Sequence, residues 1–403
     1  MNDVIVVKGN SGLGRTSTTD DSISGFITNG VSVVGGAQLD TLYNLASVDD
    51  ADALGIDKTY DENNTVLVYE HIKEFFRINP NAELYFMLTD QSATLSDLVD
   101  PAQEFAHKLL REANGSIKQI GIAYNPTDRA IFASDTIAAI TKAQELADSE
   151  NTQNRPVQII LEGIGFTKAD QVSTNLHLYN SKNVTVVTGQ SAEIANIEDA
   201  GFFPPVFPFA NYGAVGTLLG AVSLAAVNEN VAWVEKFNLF GGTLTAAMLN
   251  GQLIGEISTG NLNTINDNGF VFFRTHNGRA GLYFNDSHTC TDVESDYLYI
   301  ENNRTIDKAS RNIRARLLPF LNSPIDVDPD TGWLSPTTIK SFELEGRKAL
   351  ETMQNSNEIS GFSIYIDPEQ NVLSTSEIVV EFEVVPTGTA RTLTAKLNFS
   401  NPF

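Results

Sequence analysis

The stretch that decides the fold class is residues 119–161, QIGIAYNPTDRAIFASDTIAAITKAQELADSENTQNRPVQIIL. It begins with a short apolar run, Gln119 to Ala123, and ends with a second, Val157 to Leu161. Between them, Ser134 to Asp148 has the amphipathic pattern of a helix. A strand, a helix and a second strand in this order are typical of parallel strands joined by a crossover helix.

The same alternation extends in both directions from this stretch. Leu84 to Leu88 and Val184 to Val187 are further apolar runs of the buried-strand type. A helix is predicted to begin after Asp100, with Pro101 at its first position, and to end at Asn114-Gly115. Residues 23–258 are therefore predicted to form an α/β domain with a mixed, largely parallel sheet.

The pattern changes after Gly260, where strands and single helices no longer alternate regularly. One helix is predicted near Arg304 to Leu318, and five strands are predicted at Phe270 to Arg274, Tyr297 to Glu301, Ser363 to Ile366, Ile378 to Val385 and Thr392 to Phe399. Residues 259–386 are predicted to form an α+β domain, and residues 387–403 a C-terminal arm. In the last strand, Leu393, Ala395, Leu397 and Phe399 lie on one face.

The amino terminus has a short β-prone run followed by a segment of linker composition. The run contains Val4, Ile5, Val6 and Val7, and residues 9–22 are rich in Gly, Ser, Thr and Asn. Residues 1–22 are therefore treated as an N-terminal arm. From the residues alone, the run is a strand on a flexible tether without a partner of its own, or a frayed terminus, or an edge strand of its own domain.

Composition limits the partners that the chain can have. Of the 403 residues, 42% are hydrophobic and 19% charged, which predicts a folded globular chain. The formal net charge of −24 would repel phosphate backbones and anionic head groups, so we expect neither nucleic acid nor a membrane surface as partner. The longest apolar stretch, Val215 to Val227, falls short of the ~20 residues that span a bilayer, so a buried helix is predicted.

No motif for catalysis or for a cofactor stands out. Gly9, Gly12 and Gly14 lack the order of a nucleotide-binding fingerprint, and the five histidines have no metal-ligand spacing. The single cysteine, Cys290, excludes an intrachain disulfide. We therefore predict no catalytic residue, no metal site and no cofactor, and a protein that is not an enzyme.

An acidic loop resembles the start of a calcium-binding loop. Asp326, Asp328 and Asp330 have suitable spacing, but Gly332 comes one position late and Thr337 stands where a bidentate Glu belongs. A solvated acidic turn is the preferred interpretation.

The helix near Arg304 combines an apolar stripe with a concentration of cations. The stripe contains Ile306, Ala309, Ile313, Leu317 and Phe320. Arg304, Lys308 and Arg311 lie opposite it, and Arg314 and Arg316 lie at its sides. The cations form either a solvated polar face or, in so acidic a protein, a contact for an acidic macromolecule or for acidic patches of neighbouring copies.

Several of these segments resemble the sheath proteins of contractile phage tails and related contractile injection systems. The similar stretches are Asn268 to His276, Asp296 to Arg311 and Leu317 to Trp333. Upstream, Tyr212 to Gly220 and Trp233 to Asn238 resemble the family's buried helix and the strand beyond it.

The resemblance implies a structural subunit that polymerises as stacked hexameric rings around an inner tube. Contraction would drive that tube through a target envelope, and baseplate and tail terminator proteins would be further partners. The tube-facing residues would be Arg304, Lys308, Arg311 and Arg314, and the strands exchanged between subunits would be those of Val4, Ile5, Val6 and Val7 and of Leu393, Ala395, Leu397 and Phe399. Assembly in the bacterial cytoplasm is expected. The alternatives are another phage structural protein, such as a tube, capsid or adhesin component, and an α/β enzyme.

Overall fold

The computed structural model describes residues 20–128, 130–195 and 211–400, and the chain forms two compact units, Met1–Arg304 and Thr305–Phe403. The predicted boundary at residue 258 lies inside the first unit. The reason is that Ile265, Phe270 and Phe273 are buried in the core of that unit. Within the described residues, no helix combines the length and apolar character needed to cross a membrane.

A six-stranded sheet forms the centre of the first unit, in the order β2-β3-β1-β4-β5-β6. Its strands are β1 (Ser24–Gly30), β2 (Leu42–Leu45), β3 (Leu84–Asp90), β4 (Gln119–Ile122), β5 (Gln158–Glu162) and β6 (Val184–Val187). All neighbours pair in parallel except β2, which is antiparallel to β3. Helices on both faces bury the centre of the sheet, and four of its strands, β3, β4, β5 and β6, are short apolar runs. The predicted mixed, largely parallel sheet is confirmed.

Ten helices accompany this sheet in the described part of the first unit. They are α1 (Val48–Ala53), α2 (Lys58–Asn64), α3 (Val68–Ile78), α4 (Leu95–Val99), α5 (Ala106–Glu112), α6 (Ala138–Thr152), α7 (Asp170–Ser173), α8 (Ala192–Ala195), α9 (Val215–Leu224) and α10 (Thr259–Asp267). Five short strands form two further small sheets: β7 (Gln190–Ser191), β8 (Ala247–Leu249), β9 (Gln252–Leu253), β10 (Phe273–His276) and β11 (Arg279–Phe284).

Helices α3 and α9 approach each other unusually closely. Gly216 and Gly220 lie four residues apart on one face of α9, and a Cβ atom on Gly216 would lie 2.1 Å from the carbonyl oxygen of His71 in α3. Burial lowers the pKa of His71 to about 3, so its ring is neutral and its Nδ1 accepts the N–H of Gly216 at 3.2 Å. The predicted buried helix is α9, and its two glycines allow this contact.

One predicted helix begins later than its sequence signals indicate. Asp100 ends α4, and its side chain accepts the N–H of Ala102 in a turn, so the next helix starts at Ala106 and not at Pro101. The carboxylate of Asp100 already accepts a hydrogen bond within this turn, so it does not cap a helix that starts at the next residue.

Two predicted strands are also wrong. Tyr299 makes a single bridge to His288 before a helix begins at Ile300, and residues 233–238 form turns.

Helix α11 (Ile300–Leu317) begins in the first unit and ends in the second. The second unit continues with α12 (Pro336–Asn355), β12 (Ile359–Tyr365), α13 (Val372–Thr375) and β13 (Glu381–Pro386). Its small core centres on Leu334, Phe342 and Ile366. The predicted α+β character holds, although the 20-residue helix α12 was not anticipated from the sequence.

A buried carboxylate at the end of β5 fixes two loops of the first unit. Glu162 accepts the backbone N–H of Tyr124 at 2.7 Å and that of Gly213 at 2.9 Å. Burial raises the pKa of Glu162 to about 8, although both N–H groups act in the opposite direction. The folded chain therefore favours the protonated carboxyl group.

The raised pKa of Glu162 predicts a loss of stability with rising pH. The pKa of Glu162 in the folded chain lies above the ordinary value of 4.5. The contribution of Glu162 to the free energy of unfolding is therefore fully present below pH 4.5 and is lost as the pH rises towards 8. Urea unfolding should show that Glu162→Gln removes a slope of up to ~1.4 kcal/mol per pH unit in that window. The exposed Glu256→Gln is the control and should keep the slope of the unmodified chain. An unchanged slope in Glu162→Gln would contradict the assignment.

Candidate assembly surfaces

The C-terminal arm, as far as residue 400, forms neither helix nor strand and is almost entirely exposed. Leu393, Leu397 and Phe399 are 87%, 96% and 107% exposed, and Ala395 is exposed as well. The predicted strand Thr392 to Phe399 is not formed within this chain, because no strand of the described residues lies beside it. Three large apolar side chains thus lie in water, and no core cluster of the described residues includes them.

Strands β12 and β13 form a sheet of two strands. Phe362 pairs with Val384 and Ile364 with Phe382, and these four half-buried side chains share the face towards α12. Among the described residues, no third strand pairs with either outer edge. Unpaired strand edges are templates for another strand, and sheets of two strands are marginally stable. The hairpin is therefore a suitable acceptor for further strands.

A glycine of α12 lets this hairpin approach the helix. A Cβ atom on Gly346 would lie 2.8 Å from the ring of Phe382 and 3.0 Å from Cδ1 of Ile364. The opposite face of the sheet carries Ser363 across from Glu383, and Tyr365 across from Glu381. One face is thus packed, and the other is exposed and carries Val385 and Tyr365 beside the polar side chains.

The acidic loop of the second unit is a hydrogen-bonded turn. Oδ1 of Asp328 accepts the N–H groups of Asp330 and Thr331, at 3.0 and 2.9 Å, and the hydroxyl of Thr331 at 3.0 Å. These hydrogen bonds, those from Thr331 above all, lower the pKa of Asp328. Its carboxylate therefore serves the turn, which Val327 and Leu334 close as a β-bridge.

The four cations predicted to face a tube lie on α11 in different environments. Arg304 is buried at 4% exposure, which contradicts its predicted place on an exposed face. Lys308 is partly buried and pairs with Glu358 at 2.5 Å. Arg311 is half-buried and Arg314 is exposed. The exposed cationic end of the helix thus consists of Arg314 and Arg316, whose guanidinium lies 3.9 Å from Glu345.

Arg304 is buried because α11 is enclosed on most sides at its start. Glu301, Asn303 and Thr305 are buried beside it, whereas from Ile306 to Leu317 Ala309 alone is fully buried and the other residues are half-buried or exposed. The predicted strand residues Val4, Ile5, Val6 and Val7, and most of the predicted linker, lie outside the described residues.

Two family models together match nearly the whole chain. The model described as "DUF2586, N-terminal domain" matches residues 1–288, and "DUF2586, C-terminal domain" matches residues 296–403. The chain belongs to the DUF2586 family. No curated protein matches its sequence significantly.

The fold of this DUF2586 chain is that of contractile sheath proteins. The helical sheath of the anti-feeding prophage in its contracted state is 14% identical, with 98% of each chain covered and a TM-score of 0.63. The contracted PVC sheath complex of an extracellular contractile injection system is 11% identical, with 98% of each chain covered and a TM-score of 0.57. A sheath tail protein from Desulfitobacterium hafniense is 10% identical, with 95% of this chain and 100% of that chain covered and a TM-score of 0.52.

These structures confirm the predicted resemblance to contractile sheath proteins at the level of the fold. They are a helical sheath, a sheath complex and a sheath tail protein. The similarity to the anti-feeding prophage sheath covers 98% of this chain and therefore extends over both units.

Proposed function

We propose that this chain is the subunit of a contractile sheath, which polymerises as stacked hexameric rings around an inner tube and contracts to drive the tube through a target envelope. The near-complete coverage by sheath folds supports the proposal. Its partners are further copies of itself, the tube protein, and baseplate and tail terminator proteins. It is made and assembled in the bacterial cytoplasm and acts in a virion tail or injection machine.

Neighbouring subunits in this proposal are joined by exchanged terminal strands. The observation that carries it is the exposed C-terminal arm, in which Leu393, Leu397 and Phe399 are separated by even numbers of residues and would share one face of a strand. Each large apolar side chain contributes about 1.5–3 kcal/mol when it is fully buried. The open edges of β12 and β13 in the next subunit offer the backbone partners that such a strand needs. The run Val4 to Val7 is the second donated strand.

The exposed end of α11 faces the tube in this proposal. Arg314 and Arg316 supply positive charge from a chain whose net charge is −24, which suits a tube surface that carries carboxylates. Arg311 is half-buried, and Lys308 is partly buried and paired with Glu358. Both therefore present less positive charge to a tube than Arg314 and Arg316 do.

Reversing the charge of Arg314 and Arg316 to Glu is expected to weaken attachment of the sheath to its tube and to leave the subunit folded. Exposed ion pairs are worth ~0–1 kcal/mol each, but six subunits per ring repeat them along the tail. Co-sedimentation with tubes at low and high salt measures the effect. Lys340→Glu with Arg347→Glu, on exposed positions of α12, is the matched control. Equal tube binding by both double variants would remove α11 from the tube interface.

The conformational energy of contraction is stored in the assembled subunits. Rigid subunits that can pack in two alternative ways can contract by changing from one packing to the other, without binding a nucleotide. Saturable, stoichiometric binding of ATP or GTP by the purified assembly would oppose this part of the proposal.

Electron microscopy of the negatively stained, purified chain tests the proposed function directly. A sheath subunit should form wide, striated, hollow cylinders. Discrete small oligomers with turnover on nucleotides or sugars would instead indicate an enzyme, and thin tubes or shells would indicate another phage structural protein.

A further inference from the structure

The buried guanidinium of Arg304 donates three hydrogen bonds to backbone carbonyl groups. Its Nη1 donates to the carbonyl oxygens of Ala225 and Ala226, and its Nη2 donates to that of Asp21, each at 3.2 Å. A buried cation needs such partners, since an unsatisfied one would be very costly. The fork of donors in arginine lets one side chain hold separate backbone segments.

The first of these segments is the end of helix α9. Ala225 is the C-terminal cap of α9, where carbonyl groups have no partner within the helix and carry partial negative charge. A guanidinium there is favourable in itself. Arg304 therefore connects the start of α11 to the end of α9.

The second segment is the root of the N-terminal arm. Asp21 lies in a short 3-10 helix, Asp20–Ser22, which directly precedes β1. Its carbonyl oxygen also accepts the side-chain N–H of Gln119 at 3.1 Å, and Gln119 donates further to the hydroxyl of Ser24 at 2.9 Å. Two buried side chains from distant parts of the chain thus converge on one carbonyl group, where the arm joins the domain.

We infer that Arg304 is a positioning residue, which together with Gln119 fixes the point and direction at which the N-terminal arm leaves the subunit. The inference rests on the proposed donation of that arm to a neighbouring copy. A donated strand reaches its acceptor edge only if its root is held, because a loose root lowers the effective concentration of the strand at that edge. The root of the arm also bears any force that neighbouring copies exert on the arm.

Hydrogen exchange in the full chain, followed by mass spectrometry, tests this role. Two backbone hydrogen bonds report on the root: the N–H of Ser24 with the carbonyl of Glu83, and the N–H of Lys118 with the carbonyl of Ile23. Arg304→Lys retains the charge but lacks the planar fork, so exchange of these amides should be about tenfold faster while the far-ultraviolet circular dichroism stays unchanged. Arg347→Lys, an exposed position on α12, is the control.

Gln119→Met keeps the test decisive if Arg304→Lys fails to fold. Methionine has a similar shape, and the change also removes the Oε1 of Gln119, which has no hydrogen-bond partner among the described residues. It should loosen the root in the same way as Arg304→Lys. The double variant should show less than the summed effect, because both side chains act on one carbonyl group.

Cylinder formation is measured on the same variants. The inference expects fewer and shorter cylinders from Arg304→Lys and Gln119→Met than from the unmodified chain and the Arg347→Lys control. Unchanged exchange at the root would overturn it, and so would a loosened root with normal cylinders. If the unmodified chain forms no cylinders, the proposed sheath function fails, and exchange at the root alone then decides whether Arg304 positions the arm.

Discussion

Removing residues 389–403 is expected to leave a folded subunit that no longer forms rings or cylinders. Strand β13 ends at Pro386, and the apolar side chains of Leu393, Leu397 and Phe399 make no part of either core. Thermal unfolding should therefore change little. Assembly should be lost, because each subunit would lack one of the strands that join it to the next and the acceptor edge would stay open.

Two full-length variants test whether assembly needs the apolar side chains of the arm or only its length. Replacing Leu393, Leu397 and Phe399 by Ser removes the apolar face, whereas Thr392, Thr394 and Asn398 changed to Ser alter only the polar face. Cylinder length in electron micrographs should collapse in the first variant and persist in the second. Normal cylinders from the truncated chain would exclude the arm from the assembly, and an unfolded truncated chain would place the strand within its own domain.

Predictions from the sequence succeeded where burial alone determines the pattern. Strands β3, β4, β5 and β6 are buried on both faces, so each reads as a short apolar run. Strand β1 lies at the centre of the same sheet but was not identified, because Ser24, Thr28 and Asn29 interrupt its pattern. Their side chains are buried with tertiary partners, such as Asn125 for Thr28 and the carbonyl of Ala93 for Asn29. Such partners are distant in sequence and cannot be read from it.

Local capping signals were ambiguous in a similar way. Asp100-Pro101 and Ser335-Pro336 carry the same helix-start signal. Only Ser335-Pro336 starts a helix, α12, which Ser335 caps, whereas Asp100 lies at the end of α4. The same residue types satisfy a turn at the end of α4, because Asp and Ser bond to nearby N–H groups in either setting. Signals of this kind could have located α12, but they do not distinguish helix starts from helix ends.

The candidate surfaces were predicted in part for a related reason. Helical periodicity placed Arg304 opposite the apolar stripe of α11, yet periodicity describes the faces of a helix and not the change of burial along its axis. Arg314, nearly three turns later, is exposed. For the C-terminal arm, alternation predicted a strand with one apolar face, but among the described residues no strand pairs with it.

The largest loss of stability is expected from Gly216→Ala in helix α9. A methyl group there would lie 2.1 Å from the carbonyl oxygen of His71 and 2.7 Å from two more backbone atoms of α3. Backbone atoms cannot turn aside as a side-chain end can, so the two helices must separate. The separation would break the hydrogen bond from Gly216 to His71 and open the packing at Gly220. The expected loss is about 3 kcal/mol in the free energy of unfolding, measured by urea denaturation.

The matched control for this change is Gly260→Ala in helix α10. A Cβ atom on Gly260 meets no atom within 4 Å, so alanine there should stabilise the helix by about 0.5–1 kcal/mol through the lower entropy of the unfolded chain. Opposite signs for the two substitutions would show that contact with α3, and not helix propensity, determines the cost at Gly216. If Gly216→Ala is as stable as the unmodified chain, the close packing of α3 on α9 is wrong, and the position of His71 beside Phe26 and Tyr212 must change with it.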